Sequence, residues 1–235
     1  MSAPLTWWAQ AAEAALDLAV PQQCAGCGRP GRAWCRSCEQ ACVGASLAVP
    51  LVVPCRAACD HAGPAGRAVV AFKDEHVRRL AGPLADLLAV AVVDALADAR
   101  VSRRAPVWLV PVPSRRSAVR ARGADHTSVL AGRAARLLRR GGVQAHRLPA
   151  LSQVRASRDQ VGLNRGQRRV NVEHTMRAHE VPSGVIVLVD DVSTTGATLN
   201  EGIRALGRTG RVVSCAATVT WSTGTRRRAS TPDRD

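Results

Sequence analysis

Residues 185–189 are five consecutive aliphatics, Val-Ile-Val-Leu-Val, broken off by the paired acids Asp190 and Asp191. A short apolar run with no polar alternation predicts a strand covered on both faces, the usual condition inside a parallel sheet. Residues 107–112 have the same character and end at Pro111 and Pro113, which predicts a buried strand followed by a turn. Helical spacing appears at 64–72 and 76–99, separated by the polar Lys73, Asp74 and Glu75. It recurs at 128–140, with Val129, Leu130, Leu137 and Leu138 expected inward and Gly141-Gly142 closing the helix. Residues 197–206 form another, with Leu199, Ile203 and Leu206 inward and Gly207 as its end. A weak strand is expected at 146–151 and a closing strand at 212–221. Strands alternating with helices predict an α/β fold with a mostly parallel sheet flanked by helices. Ahead of it, residues 3–19 read as a helix with Trp7, Trp8, Ala11, Ala15 and Leu18 near one face, stopped by Pro21. Residues 225–235 read as a charged, disordered tail. The expected division is 1–59 for the N-terminal helix and a cysteine-rich module, 60–222 for the α/β domain, and 223–235 for the tail.

Composition adds a partner class. The formal charge of +15 points to polyanions such as nucleic acid, or to phosphorylated metabolites, the other reading being a solvated arginine surface. Lys73 is the single lysine among 33 basic residues, which marks it out. Glu13 and Asp17 interrupt the first apolar stretch and no basic segment precedes it, so no cleavable signal is expected. No uncharged apolar stretch of about 18 residues occurs. Residues 81–99 contain Asp86, Asp94 and Asp98 and read as an amphipathic helix, not a membrane span. A cytoplasmic location is expected, and there clustered cysteines favour metal over disulfide.

Seven of the eight cysteines fall between Cys24 and Cys59, and Cys215 stands apart. Cys24-x2-Cys27 and Cys35-x2-Cys38 are separated by seven residues, a spacing that presents four thiolates to a tetrahedral zinc ion. Zinc would supply folding energy, on the order of 10 kcal/mol, to a stretch poor in long apolar side chains. A redox dithiol is the competing reading. Cys42, Cys55 and Cys59 stay open as substitute ligands or buried thiols.

The apolar strand, the two acids, and then Ser193, Thr194, Thr195, Gly196 and Thr198 before a helix form a donor-lined loop at the carboxyl end of a strand. Ligands of open α/β sheets bind at such ends, and helix-start amides with hydroxyls make a phosphate cradle. Two carboxylates beside a phosphate conflict unless the ligand also carries a vicinal diol that donates to them. Ribose 5-phosphate has that pattern, and the same acids favour an oxocarbenium-like transition state. The chain contains neither GxxxxGK[ST] nor GxGxxG, which removes nucleoside-triphosphatase and dinucleotide readings of the same loop.

With the cysteine pairs and this loop together, the chain resembles the ComF (competence protein F) family of phosphoribosyltransferase-like proteins. The resemblance runs from Cys24 to Val219. It includes Ala71-Phe72-Lys73, the segment 110–123, the spacing Gln160-x2-Leu163-x4-Arg168-x2-Asn171, and residues 190–198. It implies that Asp190 and Asp191 bind the ribose of phosphoribosyl pyrophosphate (PRPP) and serve catalysis. Ser193, Thr194, Thr195, Gly196, Ala197 and Thr198 would hold the 5′-phosphate. The turn carrying Ser114, Arg115 and Arg116 would meet pyrophosphate with Mg²⁺, and Gln160, Arg168 and Asn171 would belong to a loop closing over the ligand. Lys73 is read as a phosphate contact, the alternative being a salt bridge with Asp74 or Glu75. The family's RGFNQ is here Arg122-Gly123-Ala124-Asp125-His126, which loses an aromatic contact and leaves His126 as an expected surface residue. The six histidines are scattered along the chain, with no Cys-His or Ser-His-Asp arrangement. Three activities follow: phosphoribosyl transfer to a nucleobase-like acceptor, single-stranded-DNA binding within a DNA-uptake machinery, or PRPP sensing without chemistry.

Overall fold

The computed structural model describes residues 23–101, 105–114, 119–120, 123–154 and 174–222. The expected helix at 3–19, the tail, and Arg115, Arg116, Gln160, Arg168 and Asn171 lie outside the described residues. The strands are β1 (Leu47–Ala48), β2 (Cys55–Asp60), β3 (Val107–Pro111), β4 (Ala145–Arg147), β5 (Leu151–Gln153), β6 (Met176–Ala178), β7 (Val185–Ser193) and β8 (Cys215–Trp221). The helices are α1 (Arg36–Gln40), α2 (Pro64–Asp74), α3 (Ala81–Asp98), α4 (His126–Arg140) and α5 (Ala197–Gly207).

Among the described residues, six strands form one sheet in the order β1-β2-β8-β7-β3-β4. Every neighbouring pair is parallel except β1 with β2, so the sheet is mostly parallel and the fold α/β. Central β7 pairs with both β3 and β8, which is why its aliphatic run shows no alternation. Helices α2, α3 and α4 bury one core against one face, through Val69, Leu84, Leu88, Val92, Leu130 and Leu138. Helix α5 covers the other face with Leu199 and Leu206 against Ile186, Leu188 and Val110.

Four sequence expectations need correction. Strand β2 belongs to the main sheet, paired with β8, so the expected division between 59 and 60 falls inside a strand. Its sequence, Cys-Arg-Ala-Ala-Cys-Asp, lacks branched residues and so carries little strand signal. On α4, Val129 and Leu137 are 36% and 38% exposed, and the buried stripe is Leu130, Ala131, Ala134, Ala135 and Leu138. Small alanines bring the helix close to the sheet, an effect that weighting by side-chain size misses. The weak strand at 146–151 is two pieces. Strand β4 joins the main sheet, and β5 pairs antiparallel with β6 beyond Pro149. The closing strand starts only at Cys215, and Val212 is 82% exposed.

The helix expected from 76 begins as a short 3-10 turn, Arg78–Leu80, because His76 has a left-handed φ of 57°. The stretch Arg78–Asp98 is long and apolar enough to cross a membrane, yet more than half of it is buried inside the fold. Strands β5 and β6 bracket segment 155–173. Their base is fixed by Glu201 of α5, which accepts the Met176 N–H at 2.9 Å and pairs with Arg204 at 2.6 Å.

Candidate functional site

Strand β7 delivers both acids to the carboxyl edge of the sheet, and each is buried. The Asp191 N–H donates to Asp190 Oδ1 at 2.8 Å. Lys73, in the last turn of α2, places Nζ 2.6 Å from Asp191 Oδ1, and the Thr127 hydroxyl of α4 donates to Oδ2 at 3.4 Å. The lysine's partner is therefore an acid of another element, which brings Lys73 into the site. Burial, and then the charge of Asp191, hold the Asp190 carboxyl well above the usual carboxylate range, against the opposing pull of Lys73. The raised pKa of Asp190 and the pairing of Asp191 with Lys73 both lessen the repulsion that two adjacent acids would direct at an anion.

The hydroxyl loop follows directly. Ser193 ends β7 with its Oγ buried and without a hydrogen-bond partner, an orphan that calls for a ligand atom. Thr194 is exposed, while Thr195, Ala197 and Thr198 are half-buried. The Ala197 N–H donates to Thr195 Oγ1 at 3.4 Å. Gly196 precedes α5 as its N-cap at a left-handed φ of 72° and has no side chain to cap the helix, so Thr195 supplies the side-chain acceptor at the helix start. A Cβ at Gly196 would lie 2.9 Å from Leu51 Cδ1, so glycine is required by conformation and by contact. An orphan hydroxyl beside a helix start fits a phosphate.

Ser114 and His126 both make contacts at the start of α4. Ser114 commits both donors to Asp125: its hydroxyl donates to Oδ1 at 2.9 Å and its N–H to Oδ2 at 3.4 Å. Asp125 also accepts the Ser128 N–H at 3.3 Å as the N-cap of α4, so Ser114 is tied to the start of that helix. His126, expected at the surface, is buried with its ring centroid 4.5 Å from that of Phe72.

One residue of the site had no sequence signal. His61 follows β2, with Nδ1 2.9 Å from Thr220 Oγ1, and the Thr220 hydroxyl in turn donates to the Asp191 carbonyl at 3.5 Å. Burial pushes the His61 pKa down and Lys73 adds to this, against Asp191 and Asp60. Recognising β2 as a sheet strand would have placed His61 at the same carboxyl edge.

The thiols of Cys24, Cys27, Cys35 and Cys38 lie within 4.8 Å of one another. The Cys24–Cys38 and Cys27–Cys35 sulfur separations are 3.6 Å. Tetrahedral zinc with bonds of about 2.3 Å requires edges near 3.8 Å, so the group can hold zinc. The Gly28 N–H donates to the Cys24 carbonyl at 2.7 Å and closes the first knuckle. Burial opposes ionisation of Cys24, but hydrogen bonds led by the Cys35 N–H outweigh it and bring the thiol down to about 6. Burial pushes Cys55 and Cys215 up to about 12, which marks them as inert thiols in the sheet. Cys42 and Cys59 lie in the main core, outside the four-thiol group.

The mostly parallel sheet, with two buried acids and Ser193 at the carboxyl end of central β7, defines an α/β domain. Residues 124–234 match the family model of the phosphoribosyl transferase domain. The matched part is similar to that domain and includes the acids and the loop but not Lys73 or the cysteines. No curated protein matches the chain.

Proposed function

We propose that this protein binds PRPP at the carboxyl edge of β7 and transfers its phosphoribosyl group to an acceptor, releasing pyrophosphate. The juxtaposition of the buried Asp190–Asp191 pair with the unpartnered Ser193 hydroxyl carries the reading. In it, the acids accept the ribose hydroxyls and Asp191 faces the positive charge that develops at C1. Ser193, Thr194, Thr195, Gly196, Ala197 and Thr198 hold the 5′-phosphate. Lys73, once released from Asp191, meets the pyrophosphate, joined by Arg115, Arg116, Gln160, Arg168 and Asn171. Bound Mg²⁺ would neutralise pyrophosphate charge, with its ligands drawn from PRPP itself. The acceptor is a nucleobase-like group by analogy, and the thiol cluster goes with a zinc-loaded, ComF-like protein of a reducing cytoplasm.

The test is calorimetric titration of the zinc-loaded protein with PRPP and Mg²⁺ beside the Asp190→Asn/Asp191→Asn double variant. Binding by wild type that the variant loses supports the site. No binding by folded wild type overturns both the transferase and the PRPP-sensor readings. Base-dependent pyrophosphate release then separates the transferase from the sensor.

One observation favours a second reading, the binding of single-stranded DNA in a DNA-uptake machinery. A cavity of about 700 Å³ between α4 and edge strand β4 is lined by Arg133, Arg136, Arg139, His146 and Arg147. Among the described residues, none of these arginines forms a close ion pair, although Asp125 also lines the cavity and Arg133 acts on the nearby Asp86. DNA binding that weakens with salt, survives the double acid variant, and is lost in Arg133→Glu/Arg136→Glu would establish this reading. Binding indifferent to the arginine changes would remove it.

A further inference from the structure

The cysteine module does not hang free of the domain, and its contacts lead to the site by two routes. Gly26, inside the first knuckle, is packed so closely that a Cβ there would lie 2.6 Å from Cys38 Sγ and 3.0 Å from Pro64 Cβ, the first residue of α2. Arg67, one turn further along α2, donates from Nε to the Gly26 carbonyl at 2.6 Å and from Nη1 to the Ala62 carbonyl at 3.5 Å. The start of α2 is thus clasped to the knuckle. Its far end carries Lys73 and the pair with Asp191. The helix between is stiff: Ala65, Ala68, Val69 and Phe72 are buried, and a Cβ at Gly66 would overlap the His61 carbonyl. The second route is the chain leaving the module, where Leu51 presses on Gly196 of the hydroxyl loop.

We propose that the cysteine module positions the ligand cradle, and that Arg67 is the positioning residue transmitting the order of the metal site through α2 to the Lys73–Asp191 pair. Metal binding fixes the knuckle backbone and hence the Gly26 carbonyl. Arg67 reads that carbonyl, and the rigid helix converts its location into the location of Lys73. Loss of metal frees Gly26 and lets the α2 strut shift, so Asp191 loses a fixed counter-charge. Supporting groups of this kind orient a site without touching its ligand.

Hydrogen exchange tests this without any ligand. Three samples are compared: zinc-loaded wild type, chelator-stripped wild type, and zinc-loaded Arg67→Ala with its metal content verified. Stripping should speed exchange at 24–42 and also at 64–75 and 190–197, while Val107–Pro111 in the central sheet stays protected. Loaded Arg67→Ala should reproduce the change at 64–75 and 190–197 alone, and Arg67→Lys should restore part of the protection. Faster exchange confined to 24–42 on stripping, or a loaded Arg67→Ala identical to wild type, overturns the proposal. Should stripping unfold the whole chain, the loaded variant decides alone. A second arm rests on the PRPP reading: Arg67→Ala should weaken PRPP binding on the order of tenfold, and in a Lys73→Met background it should add nothing. A full additional loss there would overturn the route through Lys73. Failure of wild type to bind PRPP would count against the proposed function and leave the exchange result to judge the coupling.

Discussion

Asp190 and Asp191 are neighbours on one strand yet meet different surroundings, and their behaviour with pH should differ accordingly. Asp190 faces burial and a like charge, so its folded-state pKa is raised. A carboxyl of this kind stabilises the fold below its unfolded pKa and loses that contribution as pH rises through the folded value. Asp190→Asn keeps an acceptor for the Asp191 N–H and removes the buried ionisable group. The variant should melt at a higher temperature than wild type at neutral pH, with the difference vanishing near about pH 4. Equal melting temperatures at neutral pH would contradict the raised pKa. Lys73 supplies the opposite case. Lys73→Met leaves Asp191 buried without its cation and should cost about 2 kcal/mol in urea unfolding. That is less than for a fully buried pair, because the lysine side chain is one-quarter exposed. In an Asp191→Asn background most of the cost should disappear, as a double-mutant cycle would show. The acids and hydroxyls were legible in the sequence because their chemistry is contiguous along the chain. The partners of Lys73 and His61 were not, because those contacts join residues brought together only by the sheet.

Among the elements, α4 and α5 begin in contrasting ways. Helix α4 is capped by Asp125, which also holds Ser114 at the end of β3, so one carboxylate fixes a helix start to a strand end. Asp125→Ala should cost about 1–2 kcal/mol, and Asp125→Asn much less, since asparagine caps equally well. A similar loss for both would assign the effect to charge instead of capping. Helix α5 starts at Gly196, which has no side chain to cap it, and Gly196→Ala forces a side chain into a left-handed backbone against Leu51. Its cost should be about 1–2 kcal/mol. Adding Leu51→Ala should recover only the contact part, since the backbone strain persists. Helices with regular spacing and a glycine stop were read from sequence to within two residues at their ends. Strand β2 escaped because small residues and cysteines give no periodic signal, and it was therefore assigned to the metal module that precedes it.

At the scale of the whole molecule, the sheet was legible and the way its parts are bolted together was not. Alternating strand and helix patterns sufficed for a mostly parallel α/β fold, and CxxC spacing sufficed for a metal-ready thiol group. The packing of that group on α2 depends on Gly26 and Arg67, whose roles no local pattern expresses. If zinc binds the folded chain and not the unfolded one, the melting temperature should rise with free zinc, each tenfold increase above the dissociation constant adding about 1.4 kcal/mol. A melting temperature indifferent to buffered zinc would show that the fold does not depend on the metal.

Among the described residues, the main sheet ends in strands of two and three residues, β1 on one side and β4 on the other. An exposed strand edge is a template on which foreign chains can add, and its danger grows with its length. Edges this brief offer an incoming strand too few amides to grip. The long, aliphatic β7, whose composition would favour fibril growth if it were peripheral, is shielded by a neighbour on each side. The chain keeps its most adhesive segment in the middle of the sheet and closes the margins with stubs.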